Sequence, residues 1–361
     1  MLLLAACGSD SDTPMELAGT TEVDELVLAA AADGNRLVTL SLSDNETQVA
    51  LNIFEAADDG TLQELGSLTA PGDGYNLTSF NPSSLTVDDG VAYAALPRSN
   101  QSAIWAVDIS DPEEPVEESL LETPNTMPVS IATSESDDLA AVGTGLIGTG
   151  ITLVDISNPN AIERLGAFEH SAVSTAKVEL ADNYVYLVDM SGVTLIDVTD
   201  PDALEEVSFF ENPTWTGLSS GEGGSTTISS TDRPHRPDLA VAEDYVLMTT
   251  GADTMEILSI DDPANVESVA QVETEFASIS VTVSDDFAYV YSRGEIEFGE
   301  PMTDVPFILQ KIDISDAEEP EVVQELEVSS SFPSAWQSIV AGDEHLFVLN
   351  AQSIDTVSIT D

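Results

Sequence analysis

Basic residues are the scarcest class in this sequence. The 361 residues include 8 Lys and Arg against 67 Asp and Glu, which gives a formal net charge of -59. Nucleic-acid phosphates and anionic membrane surfaces are bound by clustered Lys and Arg side chains. Only two lysines, Lys177 and Lys311, are present. We therefore expect no nucleic-acid partner and no direct docking on an anionic membrane.

Cysteine and histidine are almost absent. The single cysteine, Cys7, cannot build an internal disulfide framework. The three histidines, His170, His235 and His345, lie far apart in the sequence, so we expect no His-rich metal site. Carboxylates are abundant, but no segment has the spacing of an EF-hand loop. We therefore predict no cofactor and leave Ca²⁺ as an open alternative without a location.

Long apolar runs are also missing. Because no uninterrupted apolar stretch approaches 18 residues, we expect no membrane-spanning segment. The N-terminal MLLLAACGSDSD resembles the lipobox of bacterial lipoproteins, in which a Leu and two small residues precede the lipidated Cys. Its apolar run is short and no Lys or Arg precedes it, so we expect the true start upstream of Met1. The alternative is a chance apolar N-terminus with a buried free cysteine.

The lipobox resemblance implies how the protein is placed in the cell. Residues 1–7 would be the remnant of a signal and its lipobox, with Cys7 lipidated, and residues 8–14 a flexible tether. The protein would then be exported and anchored by acyl chains, on the periplasmic side or at the cell surface. Its high acidity favours a protein that works in salty surroundings, because salt screens its self-repulsion.

One sequence motif of about 20 residues recurs along the chain. AIWAVDISDPEEPVEESLLE at 103–122, ITLVDISNPNAIERLGAFE at 151–169 and GVTLIDVTDPDALEEVSFFE at 192–211 are near repeats. Each repeated unit contains four short alternating runs rich in β-branched residues, at a period of 40 to 50 residues, which is typical of β-propeller blades. We predict an all-β fold in which residues 15–361 form one seven-bladed β-propeller.

The repeated Asp before Ser/Thr-Asp-Pro is better explained by turn chemistry than by catalysis. Asp side chains accept hydrogen bonds from backbone amides two residues on, and Pro cannot continue a strand ladder. We therefore predict structural roles in turns for one residue in each of four units, namely Asp108, Asp155, Asp197 and Asp313.

The last unit is incomplete, which predicts how the ring closes. SIVAGDEHLFVLNAQSIDTVSITD at 338–361 contains three strands. An unpaired edge invites pairing, and PMELAGTTE at 14–22 offers the missing outer strand. We expect the N-terminal strand to complete the C-terminal blade and the protein to be a monomer.

Strings such as LVDIS and LIDVT make the repeat similar to the LVIVD-repeat family, over about residues 15–361. That resemblance implies a β-propeller of the kind commonly found on exported bacterial and archaeal proteins, and it implies little chemistry. LNIFEAADDGTLQELG, in the first unit only, also looks like a blade of lactonase-type propellers.

The long connections should share one face of the propeller. Those at 70–82, 212–237 and 293–306 join the second strand to the third or one blade to the next. Most of the basic residues map to the same face, where an anion could be held and aromatic rings could stack on sugars. We predict a ligand-binding site there comprising Arg98, Lys177, Trp215, Arg233, His235, Arg236, Arg293 and Trp336.

Several alternatives to this site stay open. The arginines could instead pair with neighbouring carboxylates and tie down their loops. Phe80 and Phe276, which also lie near the channel mouth, are better explained by packing between blades. GTGLIGTG at 143–150 imitates a dinucleotide fingerprint, but no helix follows it.

Two functions follow from this organisation. The favoured one is a binding or scaffold module for an envelope protein or an anionic glycan, acting through the loop-rich face. The alternative is a metal-assisted, lactonase-like hydrolase with its site at the channel mouth. We assign no catalytic residue, because no recognisable catalytic constellation is present.

The charge of -59 predicts that salt stabilises the fold. Raising NaCl from about 0.1 M to about 1 M shortens the Debye length from ~10 Å to ~3 Å and should weaken repulsion between carboxylates. We expect the thermal midpoint to rise by several degrees, measured by circular dichroism at both concentrations. An unchanged midpoint would exclude the halophilic interpretation.

Overall fold

The structure is a computed structural model, and it describes residues 14–42, 48–57, 59–99, 102–124, 126–134, 138–145, 150–170, 175–214, 236–294, 306–328, 337–350 and 353–360. Within these ranges the chain forms 28 β-strands and two short 3-10 turns, at Leu77–Ser79 and Pro159–Ala161. The strands make seven separate four-stranded sheets, all antiparallel. The predicted all-β, seven-bladed propeller is therefore confirmed.

The first four blades follow one another along the chain. Blade 1 contains β2 (Leu26–Asp33), β3 (Arg36–Leu42), β4 (Val49–Ala56) and β5 (Leu62–Thr69). Blade 2 contains β6 (Leu85–Asp88), β7 (Val91–Leu96), β8 (Ser102–Asp108) and β9 (Val116–Thr123). Blade 3 contains β10 (Pro128–Thr133), β11 (Leu139–Thr144), β12 (Gly150–Asp155) and β13 (Glu163–Glu169). Blade 4 contains β14 (Lys177–Ala181), β15 (Tyr184–Asp189), β16 (Gly192–Asp197) and β17 (Glu205–Glu211).

The remaining three blades complete the circle. Blade 5 contains β18 (Leu239–Ala242), β19 (Tyr245–Thr249), β20 (Thr254–Ser259) and β21 (Glu267–Glu273). Blade 6 contains β22 (Ala277–Ser284), β23 (Phe287–Arg293), β24 (Phe307–Asp313) and β25 (Glu321–Val328). Blade 7 contains β26 (Ser338–Ala341), β27 (His345–Leu349), β28 (Ser353–Ser358) and, from the other end of the chain, β1 (Glu16–Glu22).

The tight turn between the first and second strands of a blade is encoded locally. In blade 2, Asp89 and Gly90 both have positive φ, at 45° and 75°. Two successive left-handed residues form the two-residue hairpin turn whose twist matches the flanking strands, and Asp-Gly is a favoured pair for it. In blades 4, 5 and 6 the first residue of the corresponding turn also has a positive φ, at Asp182, Glu243 and Asp285.

The Asp-Pro turns also have the predicted structure. The side chain of Asp155 accepts hydrogen bonds from the Ser157 amide at 2.9 Å and its hydroxyl at 2.6 Å. Hydrogen bonds from Ser157 lower the pKa of Asp155. The other three accept from the amide two residues on in the same way: Asp108, Asp197 and Asp313.

Ring closure follows the prediction from the unfinished last unit. β1 pairs antiparallel with β28, from Glu16 opposite Ser358 to Glu22 opposite Ser353. Thr20 also donates from its hydroxyl to the buried carboxylate of Asp355 at 2.6 Å. Met15, which precedes β1, is 2 % exposed and packs in the core between blades 6 and 7.

The hydrophobic core is divided among the junctions between blades. Seven apolar clusters are present, and each takes its side chains mainly from two neighbouring sheets. Trp105 is fully buried between blades 1 and 2, where its indole nitrogen donates to Glu117 at 3.0 Å. Leu37 and Phe347 belong to the cluster that joins blade 1 to blade 7. Apolar packing therefore runs around the whole ring.

The described ranges contain no helix long and apolar enough to cross a membrane.

Removing the N-terminal strand should open the ring. In a variant lacking residues 1–22, β28 becomes an exposed edge and the core loses Met15. The loss of a buried methionine side chain alone costs about 2–5 kcal/mol. We expect a lower free energy of unfolding and the appearance of oligomers, measured by urea denaturation and size-exclusion chromatography. A variant lacking residues 1–13 is the matched control, and equal behaviour of the two would contradict the closure mechanism.

Candidate functional site

The first strand of each blade lies on the central channel, and the channel contains a cavity of about 620 Å³. Six of these inner strands contribute to its wall, and Pro237 and Asp238 contribute from just before the seventh. The cavity also touches links between blades and the end of a second strand, which all lie on the loop-rich face. It therefore extends to the face on which the sequence placed the long connections.

A recurrent polar position ties the inner strands together. In four blades, a buried serine directly precedes a buried apolar residue of the inner strand: Ser84, Ser130, Ser280 and Ser338. Ser130 accepts from the Val178 amide of the next blade at 3.1 Å. Ser280 accepts from the Ile339 amide of the next blade at 3.3 Å. These hydrogen bonds hold adjacent blades at the channel wall.

Blades 4 and 5 carry a charged pair at this position. Lys177 and Asp238 stand where their neighbours have serine, and the Lys177 ammonium lies 3.2 Å from the Asp238 carboxylate. The same ammonium donates to the Leu239 carbonyl at 2.7 Å and pairs with Glu179 at 3.1 Å. Asp238 also accepts from Ser280 and from the Val281 amide, at 2.7 and 3.1 Å. One carboxylate thus joins three consecutive blades.

The electrostatics of Lys177 follow from these contacts. Burial favours the neutral amine, but the carboxylates of Asp238 and Glu179 outweigh burial and raise the pKa of Lys177 above its ordinary value. A pKa raised by folding means that the pair contributes fully at neutral pH. Its contribution is lost only as the pH rises through the folded-state pKa of the lysine.

The charge lining the cavity is opposite to that of the protein as a whole. Lys177, Arg236 and Arg293 all lie in its wall, so three of the eight basic residues meet there. Only two of the 67 acidic residues, Glu179 and Asp238, are among the described residues of the same wall. Arg236 is exposed and Arg293 is half-buried. Burial lowers the pKa of Arg293, which reflects the cost of holding its charge away from water.

A neutral polar side chain completes this half of the cavity. Gln337, just before β26, is 6 % exposed, and neither its amide nitrogen nor its amide oxygen has a hydrogen-bond partner in the described part of the chain. The hydroxyl of Ser338 beside it is also unpaired there. Buried amides are nearly always hydrogen-bonded, so an unpaired one on a cavity wall is a feature that requires explanation.

The opposite half of the wall is uncharged. Blades 1 to 3 contribute alanine, valine, leucine, isoleucine and threonine side chains, together with Phe80 from the link between blades 1 and 2. In the same link, Asn81 donates from its side chain to the Ala176 carbonyl in blade 4, so the link reaches past blade 3. Phe80 is 4 % exposed and belongs to the core between blades 1 and 2, which agrees with the packing role predicted for it.

The structure brings together some of the predicted site residues. Lys177, Arg236 and Arg293 share the cavity, although Lys177 is engaged by its two carboxylates. Arg98 lies elsewhere: its guanidinium donates to the Pro71 carbonyl at 3.2 Å and holds the link that follows blade 1. The other predicted site residues lie outside the described ranges, as does the predicted lipidation site: Trp215, Arg233, His235, Trp336 and Cys7.

Sequence reasoning missed Asp238 and Gln337. Aligning the units on the serine position would have revealed Asp238, since blades 4 and 5 replace serine with Lys and Asp in succession. No comparable signal marks Gln337, because its lack of a partner depends on which atoms surround it after folding. For the described residues, no group of three or more His, Cys, Asp or Glu side chains is placed to hold a metal ion.

Comparison with known proteins supports the fold. Residues 174–211, which include blade 4, match the LVIVD repeat family. No curated protein is detectably similar to the chain. The WD40 β-propeller domain of Doa1 is similar in structure, with a TM-score of 0.60 and 10% identity, over 97% of this chain and 98% of that one.

A chain from the crystal structure of the mitotic checkpoint complex is also similar. Its TM-score is 0.63 at 8% identity, over 100% of this chain and 99% of that one. Identities this low establish the propeller architecture alone. The function of any particular site must be argued from its own residues.

Breaking the charged pair at the channel should destabilise the ring. Asp238→Ser leaves Lys177 short of one carboxylate, and it should cost about 2–3 kcal/mol, below the 3–5 of a fully buried pair because 18% of the Lys177 side chain is exposed. Lys177→Ser/Asp238→Ser restores the serines of the other blades and should recover much of this loss. Urea denaturation at neutral pH gives the double-mutant cycle, with Lys177→Ser as the fourth corner. A coupling below about 0.5 kcal/mol would refute the role assigned to the pair.

Proposed function

We propose that this protein is a binding module that holds an anionic group of a glycan in the central cavity of its loop-rich face. A carboxylate or sulfate would occupy the side of the cavity formed by blades 5 and 6. Arg236 and Arg293 would bind it, and Lys177 would contribute to the field while staying paired with its own carboxylates. The observation that carries the proposal is the reversal of charge at this cavity.

The reversal is large relative to the composition. In the described wall, three positive and two negative side chains leave a balance of +1, in a protein whose net charge is -59. Arginine guanidiniums bind carboxylate and sulfate groups through two parallel hydrogen bonds. Fields are also stronger in a recess with low-dielectric walls than on an open surface. An anion could therefore be bound by basic side chains at this cavity, whereas the rest of the acidic surface would repel it.

The shape favours a small or chain-like ligand. A volume of about 620 Å³ lies within the ~300–1,000 Å³ usual for small-molecule sites. A recess of this size admits one or two sugar rings and excludes the broad surface of a folded protein. We therefore favour a glycan over an envelope protein as the occupant.

We also propose that the protein is exported and anchored to a membrane. The lipobox-like segment at Leu4-Ala5-Ala6-Cys7 supports export and a lipid anchor at Cys7, on the periplasmic side or at the cell surface. An anchored monomeric propeller could then hold acidic glycans close to the membrane that carries it.

Calorimetric titration tests the proposal with three probes: trigalacturonate, a chondroitin sulfate hexasaccharide and uncharged maltotriose. We expect at least one acidic probe to bind and maltotriose not to bind. Arg236→Gln/Arg293→Gln should weaken acidic binding at least about 10-fold, the effect of losing charge-assisted hydrogen bonds. The titrations belong at the lowest salt concentration at which the protein is fully folded, because salt screens the charge-assisted contacts that they measure.

The matched control is Arg36→Gln/Arg164→Gln, which makes the same change in net charge. Arg36 begins β3 and pairs with Asp33 at 3.8 Å, and Arg164 lies on an outer strand; neither residue lines the cavity. This control should leave affinity within about twofold of the parent. An equal loss in both double variants, or the absence of binding by both acidic probes, would overturn the proposal.

A further inference from the structure

Gln337 offers information about the ligand that the arginines do not. Its buried amide carries two donor hydrogens and one acceptor oxygen, and both of its polar atoms are unpaired among the residues that the structure describes. Leaving such a group unpaired costs free energy in the empty protein. A residue of this kind is best explained by a partner that arrives with the ligand.

The chemistry of that partner can be narrowed. Sulfate and carboxylate oxygens accept hydrogen bonds and donate none, so such an anion could satisfy the amide nitrogen of Gln337 and would leave its oxygen unpaired. A sugar hydroxyl both donates and accepts, so neighbouring hydroxyls on one ring can satisfy both atoms. Gln337 therefore points to a polyhydroxylated ligand.

The position of Gln337 indicates where the hydroxyl groups of the ligand would lie relative to its anionic group. Arg293 ends the second strand of blade 6, opposite Ala277 at the start of that blade. Gln337 precedes the inner strand of blade 7, and both residues line the same cavity. A ligand that reaches both must therefore carry its charge and its hydroxyls on the same or adjoining rings.

The uncharged wall opposite Arg236, Arg293 and Gln337 is also suited to a sugar ring. Thr86 and Val87, which are half-buried, line the cavity from blade 2 on the other side of the channel, where their methyl groups can contact the C–H groups of a sugar ring. From these three surfaces we infer that the cavity recognises a uronic acid residue, with its carboxylate toward Arg236 and Arg293 and its ring hydroxyls at the Gln337 amide. This inference rests on the proposed function and specifies its ligand class.

The test is Gln337→Met, which keeps the volume of the side chain and removes its polar atoms. The free protein should be at least as stable as the parent, with a thermal midpoint unchanged or raised by roughly 1–2 °C, because an unsatisfied buried amide is removed. Affinity for trigalacturonate should fall about 10-fold, while the affinity of inorganic sulfate, measured by competition, should not change.

Gln310→Met is the matched control. Gln310 is 2 % exposed and away from the cavity, but its amide is paired, donating to Glu325 at 3.0 Å and accepting from the Glu275 amide at 3.4 Å. This variant should lower the thermal midpoint and leave trigalacturonate affinity unchanged. Gln337→Ala repeats the measurement without the bulk of methionine, in case that side chain overpacks the wall.

The outcomes separate the two proposals. If Gln337→Met and Gln337→Ala bind trigalacturonate as tightly as the parent, or if both lower the thermal midpoint as much as Gln310→Met, the uronic acid inference is overturned. The proposed function would survive that result provided that Arg236→Gln/Arg293→Gln still weakens acidic binding. If no acidic probe binds the parent protein, the proposed function itself fails and the inference fails with it.

Discussion

The pairing of β1 with β28 is the constraint on which the rest of the structure depends. All seven sheets have four strands only because the last sheet is completed by a strand from the other end of the chain. Apolar clusters fill every junction between blades, including the one between blade 7 and blade 1. The position of each inner strand is therefore fixed by the circle as a whole.

This closed ring explains why the channel can carry polar and charged groups. Because the core is distributed among the junctions, the axis does not have to be filled with apolar side chains. Serine hydroxyls hold adjacent inner strands together, and Lys177 with Asp238 performs the same task between blades 4 and 5. An ion pair at this depth is favourable only with its remaining hydrogen bonds satisfied, and Leu239, Ser280 and Val281 satisfy them.

The cavity joins this architecture to the proposed function. Its charged half is built by blades 4 to 6, Gln337 at the entrance to blade 7 adds a neutral amide, and blades 1 to 3 add an uncharged wall. In a chain with so few basic residues, the approach of Arg236 and Arg293 to one recess is a consequence of ring geometry. They are 57 positions apart in sequence and belong to neighbouring blades.

The sequence by itself determined the repeating unit, the turns and the closure. These features depend on local patterns: alternation specifies strands, Asp-Gly and Asp-Pro specify turns, and the missing fourth strand of the last unit can be counted. The sequence also predicted that basic residues gather on the loop-rich face, and three of the predicted site residues do share one cavity.

Only the tertiary structure decided what each of these residues contacts. It engaged Arg98 with the Pro71 carbonyl and Lys177 with Asp238 and Glu179, and it left the buried amide of Gln337 without a partner among the described residues. The physical reason is that hydrogen-bond satisfaction depends on atoms brought together from distant blades. Periodicity along the chain specifies the blades, but it contains no information about the distances across the ring they form.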